Sequence, residues 1–392
     1  MNTTSKNTSN FLIAEAQLAL DEARKEKSIR TKKLGSPIQL MGKALAIHVR
    51  GNHVWIAENT AIARKLDLES GKTLQIYKGH TGPLTSLAFC DRVPGSGDDE
   101  ILITGSWDQS IKLWDTQTKE LVSSTDAHTD FVKSLLVLPS LRLLISGGSD
   151  KVVRLWDLSS STHDQSLKCI GSISSHTRPV ECLGGKALSD TTALLYTADT
   201  MGIIKAWNLT KREGWWQSSI QEEYHHHRTR INEMLCGNNQ VWTASSDETV
   251  QVIHGKSPPK CTKFPPIIHP VTVRAILPLS LTDLAEPYLI TGAGDIIRVY
   301  DVSNFEAPEF LNAIDAHWHD VTAICLWTRK YVGNDGKIRV EPWIISSSLD
   351  GTIRKWRLSG MYPFYHPSNL VITYLCLRAP QPNIYSSSSY HA

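Results

Sequence analysis

The feature that most constrains this chain is an internal repeat. Residues 101–115, 143–157 and 344–358 share one pattern: an apolar run, a Ser or Thr, three residues, an Asp, five residues and a Trp. A His that follows Gly or Ala precedes each copy. Repetition at intervals of about 40 to 50 residues decides the fold, because it means that one supersecondary unit is used several times. The three sets are His80, Thr104, Asp108 and Trp114; His128, Ser146, Asp150 and Trp156; and His317, Ser346, Asp350 and Trp356.

Weaker copies of the pattern fill the intervals between the clear ones. The fourth copy has Met201 where the Asp would fall, and the fifth has Ile253 in place of Trp. The sixth has its aromatic residue, Tyr300, one position early, and the first keeps only a strand–turn–strand pattern over residues 54–67. Aligned on the Trp position, the seven copies lie 42 to 56 residues apart. Their remaining pattern residues are Leu66 in the first, Thr197 and Trp207 in the fourth, Thr243 and Asp247 in the fifth, and Thr291 and Asp295 in the sixth.

These residues and their spacing resemble the WD-repeat family, over roughly residues 37–360. In that family each repeat is a four-stranded blade, and the His, Ser or Thr, Asp and Trp form a hydrogen-bonded tetrad. The resemblance implies an all-β fold, a seven-bladed β-propeller of four-stranded antiparallel blades. Local chemistry agrees, because each copy contains short runs rich in Val, Ile, Leu and Trp, bounded by Gly, Asp, Asn or Ser.

The chain divides into three expected regions. These are an N-terminal helical and basic arm (1–35), the propeller (36–360) and a C-terminal strand with a disordered tail (361–392). The family often closes its ring with a strand taken from the N-terminus, so residues 36–41 are the predicted closing strand and residues 370–377 the competing candidate. The blade cores are expected near residues 44–78, 84–122, 131–173, 180–224, 231–268, 271–314 and 321–360.

The arm has the pattern of one short helix over residues 9–33. Ser9 or Asn10 is placed to cap it, and apolar residues recur at helical spacing in its first half. From Arg24 to Lys33 there are six Lys or Arg and one Glu. Two interpretations stay open: a solvated helix or flexible arm, or a docking helix for a second partner whose basic half acts in nuclear import.

Composition excludes several classes of protein. A formal net charge of +2 argues against a dedicated nucleic-acid binder. No run approaches the ~18 uninterrupted apolar residues of a membrane span, and the N-terminus does not read as a signal peptide. Seven Cys without a CxxC pair favour small buried side chains over disulfides or zinc. We expect a cytoplasmic and/or nuclear protein.

No catalytic, cofactor-binding or metal-binding constellation is predicted. The sequence has no P-loop, GxSxG or HExxH motif. His225, His226 and His227 are the most metal-like cluster, but the alignment makes one of the last two the tetrad histidine of the fifth blade. The recurring Asp and His are read as fold-forming turns, so the chain is not expected to be an enzyme.

Binding is predicted on one face of the propeller, here called the top face, which is formed by the loops around the tetrads. Residues next to a turn Asp or just after a tetrad His should project from it, and their Arg residues suit an acidic peptide, a phosphorylated segment or partner carboxylates. Trp215 and Trp216 fall at the opposite rim, where they form either a hydrophobic cap or a second contact site. The candidate top-face residues are Trp107, Asp130, Phe131, Arg178, Arg228, Arg230, Trp318, His319, Asp320 and Leu349.

The favoured function is a non-catalytic scaffold or adaptor subunit in a larger protein complex. A ubiquitin-ligase substrate receptor is an alternative, but the Arg that often follows a Trp-Asp pair by two residues is absent after Asp115 and Asp157, and no F-box-like segment precedes the ring. A chromatin- or RNA-associated reader would use the basic arm. A hydrolase would need clustered acidic or metal-binding residues at the central channel, which the spacing does not indicate.

Overall fold

The protein is a ring of seven antiparallel β-sheets, as predicted. A computed structural model describes residues 8–93, 101–159, 166–237, 239–255, 262–282, 284–333 and 336–361, except for the side chains of residues 8–14, 16 and 263. Over this part of the chain, one α-helix, α1 (Thr8–Thr31), precedes 29 strands arranged in seven sheets, and three short 3-10 helices lie at Pro139–Leu141, Leu279–Leu281 and Leu358–Gly360. The predicted all-β propeller with a short N-terminal helix is therefore confirmed.

Each sheet is one blade, built from strands that follow one another in sequence. The innermost strand lines the central channel and the fourth strand lies at the outside. Blade 1 contains β2 (Ala44–Arg50), β3 (His53–Glu58), β4 (Ile62–Asp67) and β5 (Thr73–Lys78); blade 2 contains β6 (Leu84–Cys90), β7 (Ile101–Ser106), β8 (Ser110–Asp115) and β9 (Leu121–Asp126); blade 3 contains β10 (Val132–Leu138), β11 (Leu143–Gly148), β12 (Val153–Asp157) and β13 (Lys168–Ile173); blade 4 contains β14 (Val180–Ser189), β15 (Thr192–Asp199), β16 (Ile204–Arg212) and β17 (Trp215–Tyr224).

The last three blades carry the irregular features. In blade 5 the outer position is shared by two short strands, which both pair with the third strand. Blade 5 contains β18 (Ile231–Cys236), β19 (Gln240–Ser245), β20 (Thr249–His254), β21 (Thr262–Lys263) and β22 (Ile267–Ile268); blade 6 contains β23 (Val273–Pro278), β24 (Tyr288–Ala293), β25 (Ile296–Asp301) and β26 (Glu309–Asp315); blade 7 contains β27 (Val321–Val332), β28 (Ile338–Ser348), β29 (Thr352–Arg357) and, from the N-terminus, β1 (Ile38–Gln39).

The ring is closed by the N-terminal strand. Within the predicted segment 36–41, Ile38 lies opposite Ile353 and Gln39 opposite Thr352, so β1 is the outer strand of blade 7. The backbone N–H of Leu40 adds a hydrogen bond of 2.9 Å to the carbonyl of Gly351. The competing segment, 370–377, lies outside the described residues.

The core is divided among the interfaces between blades. Seven clusters of buried apolar side chains each join two neighbouring blades, and one of them joins blade 7 to blade 1 through Ile345, Ile353, Ile56 and Leu66. Every sheet therefore buries both of its faces, and the burial of apolar surface holds the ring together.

The innermost strands share one irregularity near the top face. In all seven blades the pairing register with the next strand shifts at the second residue of the innermost strand. Such shifts re-aim a side chain away from the regular alternation of the strand. They place one side chain from each blade at the mouth of the channel, and this mouth is part of the candidate site.

Candidate protein-binding face

The side-chain tetrads hold the loops of the top face in place. In blade 2, His80 Nε2 lies 2.7 Å from Thr104 Oγ1, and its Nδ1 lies 2.8 Å from the carboxylate of Asp108. Trp114 Nε1 donates a 2.9 Å hydrogen bond to the same Thr104 hydroxyl. All four side chains thus find partners with little access to water. Equivalent contacts join His128, Ser146, Asp150 and Trp156 in blade 3, and His317, Ser346, Asp350 and Trp356 in blade 7.

Blade 4 also has a complete tetrad, with its carboxylate at an unexpected position. The fourth copy lacks Asp at position 201, yet Asp199 lies 3.1 Å from Nδ1 of His176. Its other oxygen accepts hydrogen bonds from the backbone N–H groups of Met201 and Ile203. The strand simply extends to Asp199 before it turns. The apparent loss of Asp in this copy is corrected: the carboxylate sits two residues earlier.

Blade 5 resolves the choice among the three consecutive histidines. His227 is the tetrad member, with Nε2 2.8 Å from Thr243 Oγ1 and Nδ1 3.2 Å from Asp247. His225 is exposed and lies near Glu223 at 3.2 Å. Ile253 stands in the Trp position and is buried, so this blade keeps three of the four tetrad residue types.

Blade 6 keeps the histidine but not its carboxylate. His269 Nε2 lies 3.0 Å from Thr291 Oγ1, while its Nδ1 faces the carbonyl oxygen of Ile267 at 3.1 Å. Asp295, which the alignment assigns to the tetrad, instead forms an ion pair with Lys27 of α1 at 2.7 Å. The turn between β24 and β25 contains only Gly294 and Asp295. The side chain of Asp295 therefore lies at the tip of this turn and does not reach the imidazole of His269. The assignment of Asp295 to a tetrad is therefore wrong.

Blade 1 replaces the tetrad with a buried ion pair. Glu58 lies at the turn between the second and third strands, and its carboxylate pairs with the guanidinium of Arg64. Both residues are buried, and Arg64 also donates a 3.0 Å hydrogen bond to Thr73. In blade 1, the copy that departs most from the pattern, an ion pair therefore takes the place of the tetrad at this turn.

The tetrad carboxylates are held in their ionised form. Burial on its own would raise their pKa values. Hydrogen bonds from the His ring, from Ser or Thr side chains and from backbone N–H groups outweigh burial, and the pKa values of Asp108, Asp150, Asp199, Asp247 and Asp350 are lowered. Each of these negative charges accepts hydrogen bonds from its own turn and from the tetrad His, so the carboxylates hold the turns in place.

Two of the candidate residues are aromatic side chains that meet between blades 2 and 3. Trp107 and Phe131 stack with ring centroids 4.8 Å apart and planes 12° from parallel. They remain 40% and 37% exposed. The ammonium of Lys133 lies 5.8 Å from the Trp107 ring centre, within the range of a cation–π contact. The structure thus brings Trp107 and Phe131 together as one exposed platform.

Next to this aromatic pair is the mouth of the central channel, a cavity of about 310 Å³. Trp107 and Leu349 reach it from the top-face turns. One side chain from each innermost strand also lines it, always the second residue of that strand. These seven are Leu45, Thr85, Lys133, Glu181, Asn232, Arg274 and Thr322.

Sequence analysis missed Lys133, Glu181 and Arg274 in this ring, although a signal exists. In six blades the ring residue stands five positions after the His of the preceding loop, as Lys133 does after His128. Glu181 is buried between two cations, with Arg230 at 2.8 Å and Lys133 at 3.6 Å. The ring residues of blades 3 and 4 are therefore joined with Arg230 in one charge network.

The predicted arginines differ in their environments. Arg178 and Arg228 are exposed on blades 4 and 5, whereas Arg230 is half exposed and paired with Glu181. Asp130 accepts a 2.7 Å hydrogen bond from the backbone N–H of Phe131. The structure therefore gives Asp130 a local role beside the aromatic pair.

Trp318, His319 and Asp320 lie in a separate part of the top face. They line a cavity of about 540 Å³ whose other wall is α1. The Asp320 carboxylate lies 3.0 Å from the guanidinium of Arg274. The predicted site residues thus fall into two groups: Trp318, His319 and Asp320 lie next to α1 at blades 6 and 7, and the others lie on the open part of the top face, around blades 2 to 5 and, for Leu349, at the channel mouth.

The two tryptophans at the opposite rim have different environments. Trp216 is buried in the cluster between blades 3 and 4, and its backbone lies against Gly171. Trp215 is 51% exposed. The hydrophobic-cap interpretation therefore describes Trp216, and Trp215 remains accessible.

Among the described residues, no group of three or more His, Cys, Asp or Glu side chains is arranged to hold a metal ion. No helix that the structure describes is long and apolar enough to cross a membrane. The features that characterise this surface are its aromatic pair, its channel mouth and its charged loops.

Seven antiparallel blades, of which blades 2, 3, 4 and 7 carry a complete His–Ser/Thr–Asp–Trp tetrad, define a WD-type β-propeller. Comparison with known proteins agrees: the family described as "WD domain, G-beta repeat" matches residues 71–115 and 119–157. An uncharacterized WD repeat-containing protein of Schizosaccharomyces pombe is 30% identical over 371 residues, which cover 90% of this chain and 89% of that protein. The chain belongs to the WD-repeat family.

Other relatives match over a shorter region. Nuclear distribution protein PAC1 of Arthroderma otae is 29% identical over 138 residues, 34% of this chain and 28% of that protein. Striatin-3 of Homo sapiens is 32% identical over 130 residues, 33% of this chain and 16% of that protein. These two similarities are confined to about a third of this chain.

Proposed function

We propose that the protein is a non-catalytic scaffold or adaptor that binds a segment of a partner protein on the open part of its top face. The observation that carries this proposal is the stacked and exposed pair of Trp107 and Phe131. We infer a cytoplasmic and/or nuclear location.

The aromatic pair has the properties of an interface hot spot. Large aromatic side chains contribute strongly to binding when a partner removes them from water. Here the two rings already stack on each other, so little side-chain freedom is lost when a ligand covers them. Tight turns hold both residues, because the tetrads of blades 2 and 3 fix the loops that carry them.

The charges around the pair support a segment with acidic residues. Arg178 and Arg228 are exposed on the neighbouring blades 4 and 5, and Lys133 lies beside the Trp107 ring. Arginine and lysine form charge-assisted hydrogen bonds to carboxylates. An apolar side chain on the aromatic pair, with carboxylates towards blades 4 and 5, matches this surface.

No specific observation favours the alternative functions. The basic arm proposed for nucleic-acid binding uses Lys27 and Arg30 in ion pairs with Asp295 and Asp315 of the propeller. Those two charges are therefore not available to a nucleic-acid backbone while α1 is bound. We accordingly limit the proposal to protein partners.

The test compares proteins that co-purify with the intact chain, with a Trp107→Ala, Phe131→Ala variant and with a Trp215→Ala variant. Trp215 is a matched control, because it is a Trp on the opposite rim that is 51% exposed, against 40% for Trp107. We expect a defined set of partners, identified by mass spectrometry, to be lost only from the double variant. Thermal unfolding would verify that all three proteins fold. Equal sets from the double variant and the intact protein would contradict the proposal.

A further inference from the structure

The N-terminal helix is bound to the top of blade 6 by a lysine between two carboxylates. Lys27 Nζ lies 2.7 Å from Asp295 and 2.5 Å from Asp315. Arg30 adds a contact of 2.5 Å to Asp315. Blade 6 has thus lost the carboxylate of its tetrad, and that carboxylate holds α1 instead.

Blade 7 fixes the other end of the same helix. The buried guanidinium of Arg354 donates hydrogen bonds of 2.5 Å to the carbonyl of Thr31 and 2.9 Å to that of Leu34. A cation at the C-terminus of a helix also complements the partial negative charge of its free carbonyls. These contacts anchor the last turns of α1, so its exposed residues form a fixed part of the surface.

A cleft remains open between α1 and the loops of blades 6 and 7. It has a volume of about 540 Å³. Its apolar lining includes Leu20 and Ala23 from the helix and Val271 and Trp318 from the blades. Leu20 is 54% exposed and Val271 is 43% exposed. An apolar side chain entering the cleft would remove both of them from water.

The charged lining of the cleft is predominantly positive. Arg24, Lys27, Arg274 and Arg298 line it, against Asp295 and Asp320. Lys27 and Arg274 are paired with those two carboxylates at 2.7 and 3.0 Å. Arg24 and Arg298 are the two remaining cations.

These two arginines are poorly neutralised. Among the residues that the structure describes, the ion-pair partner of Arg24 is the exposed Asp21 on its own helix, at 4.0 Å. In the described part of the chain, the Nε–H of Arg298 is buried and finds no hydrogen-bond acceptor. Since Arg298 also lines the cleft, its guanidinium charge is placed to attract a carboxylate that enters there.

We propose that this cleft is a second binding site for an acidic segment of a partner protein. A carboxylate of that segment accepts hydrogen bonds from Arg24 or Arg298, and a neighbouring apolar side chain packs against Leu20 and Trp318. The apolar walls and the two acidic residues favour a peptide over a nucleic-acid backbone. The site does not include the aromatic pair on blades 2 and 3, although Arg274 lines both the cleft and the channel mouth, and α1 supplies one of its walls.

A random 12-residue peptide library displayed on phage provides the probe. The library is selected on the intact protein, and enriched peptides are then measured for affinity to Arg24→Gln, Arg298→Gln, Arg212→Gln and Trp107→Ala variants. Arg212 is an exposed arginine at the opposite rim and is the matched control. We expect one class of peptides with Asp or Glu next to an apolar residue. Its affinity falls about tenfold or more in the Arg24 and Arg298 variants and is unchanged in the other two.

Three outcomes would overturn the proposal. If every enriched peptide loses affinity with Trp107→Ala and none does with the Arg24 and Arg298 variants, the cleft is not a site, although the proposed function stands. If no acidic class is enriched, or a single-stranded RNA oligomer binds the cleft and acidic peptides do not, the assigned ligand chemistry is wrong. A Leu20→Asp variant gives a check on the helix wall, because Leu20 is exposed and its change leaves the propeller core intact.

Discussion

At the scale of single residues, the hydroxyl at the centre of each tetrad explains why four side chains occur together. An ionised Asp accepts a hydrogen bond, so the facing His nitrogen, Nδ1, carries the proton. The other nitrogen, Nε2, is then an acceptor and needs a donor. The hydroxyl of Thr104 supplies that donor and accepts from Trp114 at the same time. A Ser or Thr hydroxyl can do both.

Blades 4 and 6 allow a matched test of the tetrad carboxylate. The buried carboxylate of Asp199 accepts hydrogen bonds from His176 and from two backbone N–H groups. Among the described residues, the carboxylate of Asp295 instead forms an ion pair with Lys27 of α1. We expect Asp199→Ala to lower the free energy of unfolding by about 2 to 4 kcal/mol, because it leaves several buried donors unpaired. Asp295→Ala should cost about 1 kcal/mol or less. Urea unfolding measures both, and equal losses would show that the carboxylate is not a structural anchor.

At the scale of elements, the segment that connects α1 to the propeller is fitted closely to blade 7. Gly35 has a φ of +65°, and a Cβ there would lie 2.7 Å from the indole of Trp356. Only glycine combines this backbone conformation with such close contact. Its carbonyl accepts a 2.6 Å hydrogen bond from the backbone N–H of Lys355. Residues 35–40 therefore run alongside β29 in an extended segment that backbone hydrogen bonds hold in place.

The attachment of α1 depends on one lysine more than on its overall positive charge. We expect Lys27→Ala to speed amide hydrogen exchange in residues 17–31 by about 5- to 30-fold, because a partly buried ion-pair network is lost. Lys25→Ala is the control, since Lys25 is an exposed residue of the same helix. Hydrogen exchange read by mass spectrometry distinguishes the two variants. The same change in both would mean that general charge, and not the ion pairs with Asp295 and Asp315, holds the helix.

At the scale of the whole molecule, stability depends on closing the ring. Each blade buries its faces against two neighbours, so an open ring would expose the cluster between blades 7 and 1. Leu40 is a buried member of that cluster, and Ile38 packs against the cluster. The N-terminal strand thus contributes apolar packing in addition to two backbone pairings.

Two truncations separate the helix from the closing strand. Removal of residues 2–33 should leave the ring closed, whereas removal of residues 2–41 should also expose the edge of β29. We expect the longer deletion to lose about 3 kcal/mol or more relative to the shorter one, from the burial of Ile38 and Leu40 alone. Calorimetry and size-exclusion chromatography would measure this loss and any aggregation. Identical unfolding of the two truncated proteins would contradict closure by β1.

Much of this architecture was predictable because the pattern residues act locally. The His, Ser or Thr, Asp and Trp of one blade lie within about 40 residues of one another, so their spacing carries the information. The prediction was wrong for Asp295, because one residue fewer in the turn moved its side chain out of reach of His269. The prediction also missed Asp199, because the alignment expected the carboxylate at position 201 and the tetrad of blade 4 forms with one that comes two residues earlier.

Short-range patterns of apolar and polar side chains were enough to predict the number of blades and the turns that carry the exposed residues, and they left two candidates for the closing strand. The choice of β1 as the closing strand, and the contacts between the exposed residues, come from the folded ring. Trp107 and Phe131 come from adjacent blades, and Lys27 reaches Asp295 from the other end of the chain. Such contacts depend on how the ring closes in space, and no local spacing encodes them.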